Sequence, residues 1–224
     1  MKPQLMNDAW YRHLKDEVSK LSTLQQKLSK VNFSPKDPKN IFRAFSILEP
    51  KDVRICLLGL SPYMDDNATG NAFAIPKDKL YKEYPFSLKV ISDAIAQEYD
   101  IYEIDKWFDP SLGIWESQGI LLLNSALTCE VNKPEAHLND WKPLITKVLK
   151  TLNEIDNGLI FYTFGSTAKE YMKLIDKNRH YHFHSVHPAA LYYNSSMVFD
   201  SHFKEIAELY YKNTGNKLHW LFPF

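Results

Sequence analysis

The sequence predicts an α/β protein of three layers, α/β/α, in which a central, mostly parallel four-stranded sheet lies between two layers of helices. Four short apolar runs have the length and bounding residues of buried strands. Helical stretches separate these runs, and such alternation is typical of a parallel sheet covered on both faces. A chain of 224 residues can build one sizeable core, so we expect a single domain over residues 1–224.

The elements follow one another in a regular order. Apolar residues recur at helical spacing across residues 7–31, and the segment Ser34-Pro35-Lys36-Asp37-Pro38 ends that helix. A second helix is predicted over 40–48. The predicted strands are 53–58, 120–123, 159–164 and 181–186, and the remaining predicted helices lie near 86–98, 140–154, 166–176 and 200–213.

Charge and apolar content restrict the class of protein. Lysine plus arginine and aspartate plus glutamate balance at 27 each, which argues mildly against a dedicated nucleic-acid binder but allows a local basic patch. No run of about 18 apolar residues predicts a membrane span, and the first residues lack the apolar core of a signal peptide. We therefore expect no membrane association and an intracellular protein, in the cytoplasm, the nucleoid or a host nucleus, rather than a secreted one.

The two cysteines predict a reducing compartment. Cys56 and Cys129 lie in or beside apolar runs and are far apart in sequence, so we expect buried free thiols. No cysteine pair has the spacing of a metal or iron–sulfur site. His180, His182 and His184 share one face of the last strand, but no carboxylate or cysteine lies near them in sequence. We predict no metal site there, and a solvated or DNA-facing strand instead.

Candidate site residues follow the carboxyl ends of the four strands, at Gly59, Asn124, Gly165 and His187. Open α/β sheets bind their ligands at that edge. The Asn124 amide matches the donor–acceptor edge of a pyrimidine, or it caps a turn. The His187 imidazole donates to an oxyanion, or it is structural. Phe73, at the end of the loop after Gly59, stacks on a base or belongs to the core.

Four segments carry a stronger signal when taken in chain order. They are Gly59-Leu60-Ser61-Pro62-Tyr63, residues 119–128, Phe164-Gly165-Ser166 and His187-Pro188-Ala189-Ala190-Leu191. In this order they resemble the water-activating loop, the uracil-reading strand, the Gly-Ser loop and the minor-groove loop of the classical, most widespread uracil-DNA glycosylases. The first loop normally reads Gly-Gln-Asp-Pro-Tyr-His in that family and the last His-Pro-Ser-Pro-Leu-Ser. The resemblance runs nearly end to end and implies the same α/β fold.

The resemblance implies a mechanism of base excision repair. Such enzymes flip a deoxyuridine out of DNA, single- or double-stranded, and hydrolyse its N-glycosidic bond. By resemblance, Phe73 stacks on the base, Asn124 reads its polar edge, Tyr63 excludes the methyl group of thymine, His187 stabilises charge on the uracil oxygen, and Leu191 enters the gap in the duplex. The remaining implied contacts are Leu60 with the base, and Pro85, Ser87, Gly165, Ser166, Pro188 and Ala189 with DNA. The chemistry implies no cofactor, and we expect a monomer whose protein partners, if any, the sequence leaves unspecified.

The sequence departs from that pattern where the family activates water. Ser61 stands in place of the catalytic aspartate, and losing a positioned base commonly costs about 10²–10⁴ in rate. Ala189 and Tyr192 replace two serines of the minor-groove loop that would grip phosphates. The loop is one residue shorter than usual, and Asp65 and Asp66 replace a Gly-Pro pair. We hypothesise that one of these two acids turns toward the sugar and replaces the missing charge.

Three functions stay open at this point. The first is an active glycosylase on uracil with attenuated or altered catalysis. The second is a non-catalytic uracil- or DNA-binding homologue that acts in a replication, repair or defence assembly. The third is a glycosylase for another base, which Tyr63 disfavours because its ring would exclude bulky groups at carbon five of the pyrimidine.

Overall fold

A four-stranded sheet forms the centre of the structure, a computed structural model that describes residues 2–222. The strand order is β3-β2-β5-β6, and all three pairings are parallel. A separate two-stranded antiparallel ribbon joins β1 to β4. The strands are β1 (Phe33–Ser34), β2 (Ile55–Gly59), β3 (Ile120–Asn124), β4 (Cys129–Glu130), β5 (Ile160–Phe164) and β6 (Tyr181–Ser185).

Helices cover both faces of this sheet. The α-helices are α1 (Asp8–Ser19), α2 (Ser22–Leu28), α3 (Phe86–Tyr99), α4 (Ile104–Trp107), α5 (Gly113–Ser117), α6 (Leu138–Ile155), α7 (Ser166–Lys169), α8 (Ala190–Tyr193) and α9 (Phe203–Thr214), and 3₁₀ turns occur at Pro38–Phe45, Pro50–Asp52, Tyr81–Glu83 and Glu170–Leu174. The predicted three-layer α/β/α class is confirmed. None of the helices within residues 2–222 combines the length and the apolar character that crossing a bilayer requires.

Two apolar clusters, one on each face of the sheet, account for the layers. Successive strand residues alternate between the clusters, because side chains along a strand point to opposite faces. Cys56 and Leu58 pack in the cluster that includes α1 and α6, whereas Ile55 and Leu57 pack in the one that includes α3 and α9. Every residue of β2, β3 and β5 is buried, as expected for parallel strands covered on both sides. Cys56 and Cys129 are buried free thiols, as predicted.

Several predicted helices differ from the structure. The predicted helix over 7–31 is two helices, because the last turn of α1 closes with i→i−3 bonds, from the Lys20 N–H to the Glu17 carbonyl and from the Leu21 N–H to the Val18 carbonyl. The predicted helix over 40–48 is a 3₁₀ turn, and the one over 166–176 is the short α7 followed by another 3₁₀ turn. The helices predicted near 86–98 and 140–154 are confirmed as α3 and α6.

Candidate active site

The ends of β2 and β3 bring an amide and an aromatic ring together. Gly59 pairs with Asn124 across the two strands. A Cβ atom on Gly59 would lie 2.8 Å from Asn124 Oδ1 and 3.2 Å from Phe73 Cζ. Both distances are too short for a comfortable contact, so the absence of a side chain at Gly59 is what lets the amide and the ring share this corner. The Ser125 hydroxyl also donates to the Gly59 carbonyl at 2.7 Å and ties the strand ends together.

Asn124 has a buried donor without an acceptor. Its side chain is almost fully enclosed, with 3% of the residue exposed, and within residues 2–222 its Nδ2 atom has no hydrogen-bond partner. A buried polar group left unpaired costs about 1–3 kcal/mol. The amide nitrogen is therefore available to an acceptor that the described residues do not supply, whereas a turn cap, the structural alternative, would use the side-chain oxygen.

Phe73 sits in a strained backbone conformation beside this amide. Its φ is 63°, in the left-handed region that bulky residues rarely adopt, and such conformations cost about 1–3 kcal/mol each. The ring packs edge-on against Phe164 at 5.0 Å between centroids and lies 6.0 Å from the His187 ring. Phe73 also belongs to an apolar cluster. The Phe73 ring therefore packs in the core, and it also lies next to Asn124 and His187. Its stacking on a base stays a prediction.

His187 presents a neutral imidazole to the same corner. Burial lowers its pKa to about 4, so the ring carries no charge at pH 7. The Ala189 N–H donates to Nδ1 at 3.2 Å, which leaves the proton of the neutral ring on Nε2, where it is available as a donor. Gly165 allows this approach, because its φ is +88° and a Cβ there would lie 3.0 Å from His187 Cβ.

Tyr63 is held near the start of the loop that follows Gly59. Its hydroxyl donates to the Phe73 carbonyl at 3.0 Å, and the Ser34 hydroxyl donates to its backbone carbonyl. Burial, followed by the charge of Asp65, raises the pKa of Tyr63 well above its usual range. The ring is therefore neutral and is held next to the carbonyl of Phe73 by that hydrogen bond.

Ser61 faces a thiol rather than a carboxylate. Burial raises the pKa of Cys129 to about 11, an effect that a hydrogen bond from Ser61 partly opposes. The Cys129 thiol itself donates to the Pro62 carbonyl at 3.5 Å. Ser61 and Cys129 are thus both uncharged at pH 7. The neighbouring Leu60 is half-buried, and its carbonyl accepts the Ala126 N–H at 2.9 Å.

The structure does not place Asp65 or Asp66 as the hypothesis requires. Asp66 is exposed and pairs with Lys36 at 2.5 Å. Asp65 is also exposed, and its carboxylate accepts the backbone N–H and the side-chain amide of Asn67, each at 3.0 Å. Asp65 therefore closes a turn and Asp66 forms a surface ion pair, and the expectation that one of them turns toward the sugar is corrected.

The residues expected to contact DNA lie on the loops around this corner. Pro85 precedes the first turn of α3 and Ser87 is buried within it, while Ser166 is exposed at the start of α7. Pro188 is buried, and Ala189 and Leu191 are half-buried in the segment that forms α8. Their contacts with DNA remain expectations.

Sequence reasoning missed two features near these loops. Phe86 and Tyr192 lie 5.5 Å apart, so the start of α3 meets α8. Asn71 is buried two positions before Phe73, and its Oδ1 has no hydrogen-bond partner among the described residues. The signal for Asn71 was a single polar residue in the apolar end of the loop, whereas the contact between α3 and α8 left no local signal.

The histidine stripe over residues 180–184 is half-buried rather than fully solvated, and its facing DNA stays a prediction. His180 is buried, and its Nε2 lies 3.2 Å from the Asn153 carbonyl oxygen. His184 Nδ1 lies 3.1 Å from the Thr163 hydroxyl, and burial lowers the pKa of all three histidines. Between residues 2 and 222, no three potential His, Cys, Asp or Glu ligands are grouped for a metal ion.

Known proteins share both the sequence pattern and the fold. The pattern of the uracil DNA glycosylase superfamily matches residues 45–209. A uracil-DNA glycosylase of Buchnera aphidicola (subsp. Acyrthosiphon pisum, strain APS) is 30% identical over 198 residues, 88% of this chain and 87% of the relative. One from Campylobacter jejuni (strain RM1221) is 32% identical over 194 residues, which are 83% of this chain and 81% of the relative. The crystal structure of mimivirus uracil-DNA glycosylase matches with a TM-score of 0.80 at 22% identity, over 96% of this chain and 87% of that one. The chain therefore belongs to the uracil DNA glycosylase superfamily.

Proposed function

We propose that this protein hydrolyses the N-glycosidic bond of a deoxyuridine flipped out of DNA, at a rate reduced by the absence of a carboxylate at Ser61. The observation that carries the proposal is the buried, unpaired Nδ2 of Asn124 beside the ring of Phe73. An enclosed donor next to an aromatic face fits a flat base with an acceptor on its edge.

Uracil satisfies that arrangement better than the other pyrimidines. Its O4 accepts the Asn124 Nδ2–H, and its N3–H donates to Oδ1, whereas cytosine presents a donor where uracil presents O4. Thymine has the same edge as uracil but carries a methyl group at carbon five. The fixed ring of Tyr63 is the wall proposed to exclude that methyl group, and its hydrogen bond to the Phe73 carbonyl is what prevents it from yielding.

The proposed reaction breaks the bond between the sugar C1′ and uracil N1. The bonding electrons leave with the base, and charge accumulates on uracil O2, where the neutral His187 donates its Nε2–H. A water adds to the sugar cation at C1′, and the proton that it loses passes through solvent to N1 of the departed uracil anion, so that the products are free uracil and an abasic site. Ser61 is able to orient that water by a hydrogen bond but is too weak a base to take its proton, a deficit that commonly costs about 10²–10⁴ in rate.

The second candidate is a non-catalytic protein that recognises uracil in DNA. This candidate is favoured because Asp65 and Asp66 form their contacts at the surface. Neither acid then supplies the negative charge that was expected near the attacking water. Both candidates use the same base pocket and differ only in whether the bond breaks.

An excision assay separates the two candidates. Single- and double-stranded oligonucleotides with one uracil are incubated with excess protein, and abasic sites are cleaved with alkali. Strand breaks that disappear in Asn124→Ala support catalysis by this pocket. Binding that prefers uracil to thymine, with no breaks from either the parent or Ser61→Asp, supports the second candidate and refutes the first.

We further propose that residues 1–224 act as one domain and as a monomer within the cell. The single domain is supported by the two apolar clusters, which lie on opposite faces of the same sheet. A reducing compartment is supported by the two buried free thiols. Size-exclusion chromatography with light scattering tests the monomer, and a dimeric mass would refute it.

A further inference from the structure

Three exposed aromatic rings form a continuous cluster near the pocket. Phe86 is 42% exposed, Tyr192 71% and Tyr193 85%. Phe86 and Tyr192 meet edge to face at 5.5 Å, and Tyr192 and Tyr193 do so at 5.3 Å. We call these three residues the aromatic cluster. Soluble proteins seldom leave several large rings together in water without a use for them.

The aromatic cluster adjoins the base pocket. Tyr192 and Tyr193 belong to α8, which begins three residues after His187, and Leu191 directly precedes them. Phe86 is the first residue of α3 and follows Pro85. The rings therefore lie next to the segment that carries His187 and Leu191.

Few basic side chains lie near the cluster in sequence. Between Arg179 and Lys204 the sequence has no lysine or arginine. On the α3 side, Lys89 is engaged elsewhere, because its Nζ donates to the Lys82 carbonyl at 3.1 Å and lies over the Tyr81 ring. The loop also carries Tyr192 where the family motif has a serine hydroxyl. The cluster thus offers ring faces and edges where relatives offer a phosphate grip.

We propose that the aromatic cluster is a stacking platform for the bases of a single DNA strand next to the flipped uridine, an inference that rests on the proposed function. Every base has a π face, and aromatic side chains bind unpaired bases through that face. In a duplex the same faces are covered by neighbouring base pairs. The cluster therefore adds affinity for an unpaired strand that depends on its bases more than on its phosphates.

Binding measurements with uracil-free strands test the platform apart from excision. The probes are a fluorescent oligothymidylate, a strand of the same length whose residues lack bases, and a duplex of oligothymidylate with oligodeoxyadenylate. The proteins are the parent, Tyr192→Ser, Tyr192→Phe and the control Tyr102→Ser. Tyr102 is 97% exposed and lies beyond the far end of α3, about 20 Å from Phe86 along a helix of 14 residues.

We expect Tyr192→Ser to weaken binding to oligothymidylate about tenfold, the scale of one base–aromatic stack. Tyr192→Phe, which keeps the ring, and Tyr102→Ser should bind as the parent does. The parent should bind the strand without bases more weakly than oligothymidylate, and the Ser substitution should not weaken that binding further.

Three results would overturn the platform. They are equal affinity of the parent for strands with and without bases, unchanged binding by Tyr192→Ser, and a dimeric parent that Tyr192→Ser converts to a monomer, which would assign the rings to a contact between copies. Because the probes contain no uracil, a parent that stacks on oligothymidylate but neither excises nor selects uracil refutes the proposed function alone.

Discussion

Acid should destabilise this protein through His187, and the structure gives the size of the effect. Burial lowers the pKa of the folded imidazole from 6.5 to about 4. Between pH 6.5 and about pH 4 the unfolded chain therefore binds a proton at His187 that the folded chain does not bind. The stability that depends on a neutral His187 is fully present above pH 6.5. It is lost as the pH falls toward 4, because the unfolded state binds more protons than the folded state in that window.

The magnitude follows from the two pKa values. One pKa unit corresponds to about 1.36 kcal/mol. With the folded pKa at about 4, the free energy of unfolding should fall by about 2 kcal/mol between pH 7 and pH 5 through this residue alone. His180, His182 and His184 also have lowered pKa values and act in the same direction, so the parent's total loss is larger than this share.

A matched pair of variants isolates the His187 share. His187→Asn removes the titrating ring but keeps an oxygen that can accept the Ala189 N–H. His13→Asn removes an exposed histidine on α1 and serves as the control. Urea unfolding at both pH values, followed by tryptophan fluorescence, should show a loss about 2 kcal/mol smaller in His187→Asn than in the parent or in the control. The same pH dependence in all three proteins would refute a buried, neutral His187.

Three further predictions concern the pocket and its support. Gly59→Ala should lower single-turnover excision by up to about 10², because the new methyl group would displace Asn124 and a shift of about 1 Å has that effect; unchanged excision would contradict the close approach. Ser61→Asp should raise excision by about 10²–10⁴, the worth of a positioned base, and no gain would mean that the remaining site is not competent. Arg43→Met should lower the free energy of unfolding by about 3–5 kcal/mol in urea titrations, because it leaves the buried Glu116 without its bidentate partner at 3.0 Å; a loss below 1 kcal/mol would show that water replaces the arginine.

The strands and the pocket were predictable because their signals are local. Buried parallel strands are continuous apolar runs, and the residue after each run falls at one edge of the sheet. That rule alone placed Asn124 and His187 on the same side as the loop that ends at Phe73. The ring contact between Phe73 and His187 and the position of Asn124 Oδ1 next to Gly59 agree with it.

The predictions that were wrong or missing concern contacts between residues distant in sequence. Asp66 lies at the surface and pairs with Lys36, thirty positions earlier, a contact that has no local sequence signal. His180 is buried because it packs edge-on against Phe161 of the neighbouring strand at 5.5 Å, which the alternation of β6 alone does not indicate. The β1–β4 ribbon has two residues in each strand, too few for a period to be detected.

Under the proposed function, different residues of the site would recognise the base and activate the water. Asn124, Tyr63 and His187 are all uncharged at pH 7, as the lowered pKa of the imidazole and the raised pKa of the phenol require. A neutral base enters a neutral pocket at little electrostatic cost. Preorganised donors stabilise the base more strongly once negative charge develops on its carbonyl oxygen, so the stabilisation is larger in the transition state than in the ground state. Where the family motif has its catalytic aspartate, this chain has the Ser61 hydroxyl beside a protonated thiol. Under the proposed function, stabilisation of the departing uracil anion by His187 would therefore be the main catalytic contribution of these residues, because the hydroxyl of Ser61 brings no negative charge to the sugar cation.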